Sequence, residues 1–176
     1  MRDQRPRGRG RGGERRERRG GQRQERMRPE FDQKIVSIRR VTRVVAGGRR
    51  FNFSVAIVLG DHKGSVAVGT GKAGDTSLAI DKAVRDAKKH LFKVPLTKHN
   101  SISHDVRAKY ASSTICLTPA PGRGLVAGSS VRTVLELGGI TNITGKLLSR
   151  SKNKLNNARA AVEALRLVKP PRLPKS

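Results

Sequence analysis

Residues 51–59 read Phe51-Asn52-Phe53-Ser54-Val55-Ala56-Ile57-Val58-Leu59, and apolar residues alternate in this stretch with smaller or polar ones. A period of two is typical of a β-strand with one core face. The β-branched segment 34–46 predicts a preceding strand, with a bulge as one option. A basic turn at 47–50 joins the two, and a turn at 60–64 leads to a strand at 65–72. The stretch therefore predicts a meander of three short antiparallel strands.

A helix follows these strands. Apolar residues recur at helical spacing from Ile80 to Leu91, Asp75 or Thr76 is placed to cap the N-terminus, and Pro95 ends the unit. We therefore predict a first domain, residues 31–97, that consists of a three-stranded sheet and one helix.

A second small α+β domain is predicted for residues 98–170. Its elements are, in chain order, strands at 101–110 and 112–118, a proline- and glycine-rich loop at 119–124, a helix capped by Ser129 or Ser130, a strand at 140–149 and a helix at 154–168. Val131, Val134 and Leu135 face inward in the first of these helices. The chain is thus predicted to be α+β, with an Arg/Gly extension at 1–30 and a short tail at 171–176.

Positive charge is in excess throughout the chain. The 176 residues hold 39 Lys and Arg against 13 Asp and Glu, a formal net charge of +26. Residues 1–30 contribute twelve arginines and five acidic residues, so most of the excess lies in the predicted folded domains. Self-repulsion at this charge opposes a compact state unless a polyanion neutralises it. Nucleic acid is the polyanion that we expect, because its phosphates release counterions when basic side chains bind them.

The Arg/Gly extension is of low complexity, as its segment Arg7-Gly8-Arg9-Gly10-Arg11-Gly12-Gly13 illustrates. It has no large apolar residue before Phe31 except methionine, so we predict that it is disordered until bound. Two interpretations stay open: a segment that binds single-stranded nucleic acid, and a solubilising tail without a defined site. It has no apolar core like that of a secretory signal, and its acidic residues and lack of serine disfavour a transit peptide.

Several classes of protein are disfavoured by the sequence. The chain contains no run of about eighteen apolar residues, so we predict no membrane span. The single Cys116 excludes an internal disulfide and fits a reducing, cytoplasmic location. The four histidines and Cys116 lack metal-ligand spacing, so we predict no metal, no cofactor and no small-molecule substrate. We expect Cys116 to be a small, buried or half-buried residue.

An enzymatic function remains an alternative, because the segment 121–130 superficially resembles the phosphate loop of small-metabolite kinases. Glycines before a helix N-terminus can hold an anion. Metal-dependent phosphoryl transfer also needs carboxylates, however, and the second domain has only Asp105, Glu136 and Glu163. We therefore disfavour a kinase.

The helix of the first domain has a basic side, formed by Lys82, Arg85, Lys88 and Lys89. We favour an RNA-facing surface over a merely solvated helix face, because the same small domain also carries Arg49, Arg50, Lys63 and Lys72. Phe51 and Phe53 share one strand face, and we favour core packing over base stacking for both.

A family resemblance rests on several motifs in register. In the first half they are Val45-Ala46-Gly47-Gly48-Arg49-Arg50-Phe51-Asn52-Phe53, Gly64-Ser65-Val66-Ala67-Val68-Gly69-Thr70-Gly71-Lys72-Ala73 and Ala79-Ile80-Asp81-Lys82-Ala83. In the second half they are Pro119-Ala120-Pro121-Gly122-Arg123-Gly124-Leu125-Val126-Ala127-Gly128, Val131-Arg132-Thr133-Val134-Leu135-Glu136-Leu137-Gly138-Gly139-Ile140 and Ser151 through Ala160. Over residues 31–168 the chain resembles the family of small-subunit ribosomal protein five.

The resemblance implies a double-stranded-RNA-binding-like first domain and a second domain with a left-handed crossover. It also implies binding to small-subunit ribosomal RNA, contacts with ribosomal proteins four and eight, and a place with proteins three and four at the channel by which messenger RNA enters. Roles in decoding accuracy and in messenger unwinding follow for the family. The RNA-binding residues expected on this basis are Arg43, Gly47, Gly48, Arg49 and Arg50, with Lys63, Lys72, Lys88 and Lys89 as a second tier.

The boundary with ribosomal protein four is expected, on the same basis, at Pro121, Gly122, Arg123, Gly124 and Arg132. Arg123 departs from the family, which usually has a small or hydroxyl residue there. A free RNA chaperone or double-stranded-RNA-binding protein acting off the ribosome remains the alternative, because composition is compatible with both.

Overall fold

The structure is a computed structural model that describes residues 30–170. Its elements are β1 (Asp32–Val45), β2 (Gly48–Gly60), β3 (Ser65–Ala73), α1 (Thr76–Lys89), β4 (Phe92–Lys93), β5 (Val106–Tyr110), β6 (Ser113–Pro119), β7 (Leu125–Ala127), α2 (Ser129–Leu137), β8 (Ile143–Leu147) and α3 (Lys154–Arg166). The predicted α+β class is confirmed. The Arg/Gly extension, apart from Glu30, and the tail at 171–176 lie outside the described residues.

The first sheet is antiparallel, with the strand order β1-β2-β3-β4. The prediction of three strands is wrong by one, because β4 adds two residues that pair with Ser65 and Val66. A two-residue strand is too short to show any alternation in sequence. The bulge in β1 is confirmed, since the β1–β2 register shifts between Ile35 and Ser37.

The turn between β1 and β2 is shorter than predicted. Val45 pairs with Gly48, so the turn is Ala46-Gly47 and both Arg49 and Arg50 belong to β2. Gly48 has a φ of +119°, which residues with a side chain rarely adopt. The basic residues predicted for the turn therefore lie on the hairpin strands.

Helix α1 packs very closely on β3. Ala79, Ala83 and Ala87 recur every four residues and are fully buried against the sheet. On β3, a Cβ atom at Gly69 or Gly71 would collide with the backbone of α1. Small residues on both elements thus permit a close approach of helix and strand.

The second sheet has the strand order β5-β6-β8-β7, and its pair β7–β8 is parallel. Helix α2 makes the crossover between these two strands; its left hand stays a prediction. The predicted caps Ser129 and Ser130 are wrong, because Gly128 occupies the N-cap and Ser129 is the first helical residue. Glycine is itself favourable at an N-cap, and Gly128 has the extended backbone that the position requires.

Both faces of β2 are buried between Val55 and Gly60, so the predicted single core face is wrong there. Val55 and Leu59 join apolar clusters with residues of α1. Val58 lies on the opposite face and joins a core that includes β3 and residues of the second sheet, α2 and α3. The two sheets therefore share one apolar core. The domain division at 97/98 stays a prediction.

Within residues 30–170, no helix has both the length and the apolar character needed to cross a membrane.

Candidate nucleic-acid interface

The distal part of the β1–β2 hairpin carries exposed arginines. Arg43 and Arg50 are direct cross-strand partners, so their Cβ atoms are about 4.5–5.5 Å apart on one face. Like charges placed opposite each other destabilise a sheet unless an anion lies between or over them. Between Asp32 and Asp61 the chain contains no acidic residue that could supply the counter-charge.

Two further cations share this face. Arg39 pairs with Ser54, and Ser54 pairs in turn with Lys72 on β3. Because side chains alternate along each strand, this rung points to the same side as the Arg43–Arg50 pair. We call Arg39, Arg43, Arg50 and Lys72 the cationic face.

The opposite side of the hairpin carries Arg49, Arg40 and Phe51. The Arg40 guanidinium lies 4.6 Å from the centroid of the Phe51 ring, a cation–π arrangement. Phe51 is 45% exposed, so the prediction of core packing is wrong for this residue. It is confirmed for Phe53, which packs against the cluster of Val55, Ala73 and Ala79. The difference arises because α1 covers the sheet only from the level of Phe53 onward.

The two glycines of the hairpin have different roles. Gly48 needs its left-handed φ, whereas Gly47 does not adopt a positive φ. A Cβ atom on either would meet nothing within 4 Å. Of these two positions, only Gly48 therefore requires glycine for its backbone conformation. The space around both glycines is open to a partner.

Lys63, Lys88 and Lys89 lie toward the other end of the first sheet. Lys63 is in the β2–β3 turn, and the two other lysines are exposed in the last turn of α1, where cations suit the helix dipole. The predicted RNA-binding residues therefore form two groups. Arg43, Gly47, Gly48, Arg49, Arg50 and Lys72 lie on the hairpin or beside it, whereas the three lysines are remote from its tip.

The turn that holds Lys63 is organised by Asp61. Its carboxylate accepts hydrogen bonds of 2.8 Å from the backbone N–H groups of Lys63 and Ser65. Partial burial raises the pKa of Asp61, but the hydrogen bonds from Lys63 and Ser65 outweigh it, so this pKa lies below its ordinary value. The turn is thus held by an ionised carboxylate.

The residues predicted for the protein-four boundary lie together at the β6–β7 loop and on α2. Pro121, Gly122 and Arg123 are exposed, and Gly122 and Gly124 have φ values of +79° and +70°. Arg132 is also exposed, and its guanidinium donates to the Leu125 carbonyl at 3.3 Å. The loop borders a cavity of about 370 Å³ that Lys146 also lines.

The kinase alternative gains no support from the carboxylates. Glu136 is ion-paired with Lys34 at 3.1 Å, and Glu163 with Arg166 at the same distance. Within residues 30–170, no three acidic, histidine or cysteine side chains come together as a metal site. Cys116 is half-buried, as predicted.

Sequence reasoning missed Arg39 on the cationic face and Arg40 on the opposite side of the hairpin. Strand alternation was the available signal: in β1 it puts Arg39 on the side of Arg43, and Arg40 on the other. The pairing of Arg39 with Lys72 through Ser54 needed the register of three strands, which the sequence does not state.

Two family models match the chain. They are described as "Ribosomal protein S5, N-terminal domain", at residues 31–95, and "Ribosomal protein S5, C-terminal domain", at residues 108–173. The chain belongs to the ribosomal protein S5 family. The resemblance stated from the sequence motifs is thereby confirmed.

Relatives within this S5 family are about half identical to the chain. "Small ribosomal subunit protein uS5" of Synechococcus sp. (strain CC9605) is 50% identical over 141 residues, which are 80% of this chain and 65% of that protein. "Small ribosomal subunit protein uS5c" of Pyropia yezoensis is 50% identical over 136 residues, 77% of this chain and 78% of that protein. The matched region thus spans slightly less than two thirds of the Synechococcus relative.

Proposed function

We propose that this chain is a structural component of the small ribosomal subunit in the cytoplasm and that it binds the ribosomal RNA. The observation that carries the proposal is the cationic face of the hairpin, where Arg43 and Arg50 lie side by side in a segment without acidic residues. A-form RNA is recognised through phosphates, 2′-hydroxyls and shape, because its major groove is too deep and narrow for side chains. Exposed arginines on a two-stranded ribbon suit that task.

Membership of the S5 family supports this proposal, since the relatives are named as small-subunit proteins. On the same basis we propose contacts with ribosomal proteins four and eight, with protein three nearby. The exposed loop of Pro121, Gly122, Arg123 and Gly124, together with Arg132, would face protein four. Its two left-handed glycines leave the backbone open to close approach by a partner.

We further propose that the hairpin lies beside messenger RNA where it enters the subunit, with a part in decoding accuracy and unwinding. The chain has no Walker loop, so its part in unwinding is passive: fixed cations hold separated strands while the ribosome advances. Changing Arg49 and Arg50 to glutamate should slow ribosomes on structured messengers. Unaltered passage of the variant ribosomes would contradict this role.

Co-sedimentation tests the proposal as a whole. The full chain should be recovered in equal number with small subunits and should stay with them at moderate salt. Recovery in the soluble fraction, away from ribosomal particles, would instead support a free RNA chaperone or double-stranded-RNA-binding protein.

A further inference from the structure

A cleft lies where β1 meets the N-terminal ends of α2 and α3. Its volume is about 180 Å³, and it is lined by Ile35, Val36, Ser129, Ser130, Thr133 and Lys154. The lining contains one cation and no carboxylate. None of the lining residues is among the predicted RNA-binding residues.

The first turn of α2 borders the cleft through Ser129 and Ser130. The N–H groups at the start of a helix have no partner within it and carry partial positive charge. In α2 the N-cap is Gly128, which supplies no side-chain acceptor, and the first turn contains no acidic residue. The donors at Ser129, Ser130 and Val131 are therefore without a side-chain cap.

Ser130 supplies a second, independent indication of a ligand. The residue is only 5% exposed, and within residues 30–170 its hydroxyl forms no side-chain hydrogen bond. Every fully buried side-chain nitrogen or oxygen in that part of the chain has a partner. The Ser130 hydroxyl is therefore not fully buried, and Ser130 is one of the residues that line the cleft. Neighbouring Thr133 differs, because its hydroxyl donates to the Ser129 carbonyl at 3.0 Å.

Lys154 completes the arrangement from α3. It is the first residue of that helix, a place where a cation opposes the helix dipole. The cap Asn153 accepts from the Leu155 N–H and also faces the Arg39 guanidinium at 3.5 Å. Arg39 belongs to the cationic face, so this face continues to the mouth of the cleft.

We propose that the cleft binds one phosphate of an RNA backbone, held by the first N–H groups of α2, the Ser130 hydroxyl and the Lys154 ammonium. This site rests on the proposed function and extends it, because it gives the RNA on the cationic face a second anchor on the other sheet's helices. The segment that resembles a kinase phosphate loop thus binds phosphate without transferring it, since Glu136 and Glu163 are engaged in ion pairs elsewhere.

Two probes test the site in the full-length chain: inorganic phosphate, and a short RNA stem-loop from small-subunit ribosomal RNA. Amide NMR shifts of Ser129–Arg132 report occupancy. Ser129→Pro removes one N–H at a position where proline fits a helix. Ser130→Ala removes the hydroxyl, and Lys154→Gln removes the charge, with Lys98→Gln as the charge-matched control outside the cleft.

Both probes should shift the α2 amides of the wild type. Ser130→Ala should weaken each by about 3- to 10-fold, as expected for one lost hydrogen bond. Lys154→Gln should lower the salt slope of RNA binding by about 1, while Lys98→Gln leaves it unchanged. Lys154→Gln should also keep or raise the thermal midpoint, because it removes a cation from a helix N-terminus; this separates loss of the site from loss of the fold.

Three results would overturn the site. The first is that neither probe shifts the α2 amides. The second is that inorganic phosphate shifts them but the RNA stem-loop does not. The third is that Lys154→Gln and Lys98→Gln have equal salt slopes of RNA binding. If wild-type RNA binding still depends on Arg43 and Arg50 in those cases, the proposed function stands and only the cleft is excluded. If the chain binds no RNA at all, the proposed function itself is wrong.

Discussion

Gly60, at the end of β2, packs directly against the backbone of Leu137, at the end of α2. A Cβ atom on Gly60 would collide with the carbonyl group of Leu137. This contact joins the first sheet to helix α2. It is reinforced by His62, whose backbone N–H donates to the same Leu137 carbonyl at 2.9 Å.

Gly60→Ala should therefore destabilise the chain by about 1–3 kcal/mol, since the obstructing atoms are backbone and cannot move aside cheaply. Urea unfolding of the full chain measures the change. Gly47→Ala is the matched control, because nothing lies within 4 Å of its added Cβ. Equal stability of the two variants would show that the two units do not make this contact.

Asp61→Asn should destabilise the chain at neutral pH by about 1 kcal/mol, because hydrogen bonds to a charged acceptor are stronger than those to a neutral one. The pKa of Asp61 is lowered in the folded chain, so its contribution is present above the unfolded pKa of about 3.9 and is lost as the pH falls through the lower folded value. The difference between wild type and variant should therefore shrink below about pH 3.9. A difference that stays constant from pH 7 to pH 2 would contradict this account.

The double variant Arg43→Gln/Arg50→Gln should lower the salt slope of binding to a ribosomal RNA stem-loop by about 2, because each arginine that no longer neutralises a phosphate reduces the slope by about 1. Fluorescence titration at several salt concentrations measures the slope. Lys98→Gln/Lys169→Gln removes the same charge from outside the hairpin and should leave the slope near the wild-type value. Parallel decreases in both double variants would mean that only net charge matters.

Gly124→Ala should destabilise the chain by about 1–2 kcal/mol, because its φ of +70° is costly for a residue with a Cβ, although the space around it is open. Gly124→Asn should be milder, since asparagine tolerates this conformation better. Thermal unfolding compares both with Gly74→Ala, where neither a left-handed φ nor a close neighbour interferes. A neutral Gly124→Ala would indicate that the loop relaxes into another conformation.

Much of the fold could be predicted because its long elements show clear periodicity. The alternation from Phe51 to Leu59 predicts β2, and the helical spacing of apolar residues from Ile80 to Leu91 predicts α1. The burial of Ala56 and Val58 could not be predicted in this way. Alternation shows which residues share a face, but it does not show that a distant segment covers the second face.

The candidate RNA surface was predictable by residue type and less so by arrangement. The family resemblance points to Arg43 and Arg50 as RNA-binding residues, yet their direct pairing depends on a turn of two residues, Ala46-Gly47, rather than four. Arg39 and Lys72 became part of the same face only through the register with Ser54. Ser130 and Lys154 come together because two helices converge, a relationship between segments that are separated in the sequence.

The shared core also sets the order in which the chain can fold during its synthesis. Val58, Val66 and Val68 leave the exit tunnel before their partners Leu135 and Leu165, which follow about 70 to 100 residues later. At about 5–20 residues per second, this valine face stays uncovered for several seconds. The newly made first half is therefore the stage most exposed to aggregation, and we expect it to be the stage that a holdase chaperone would protect.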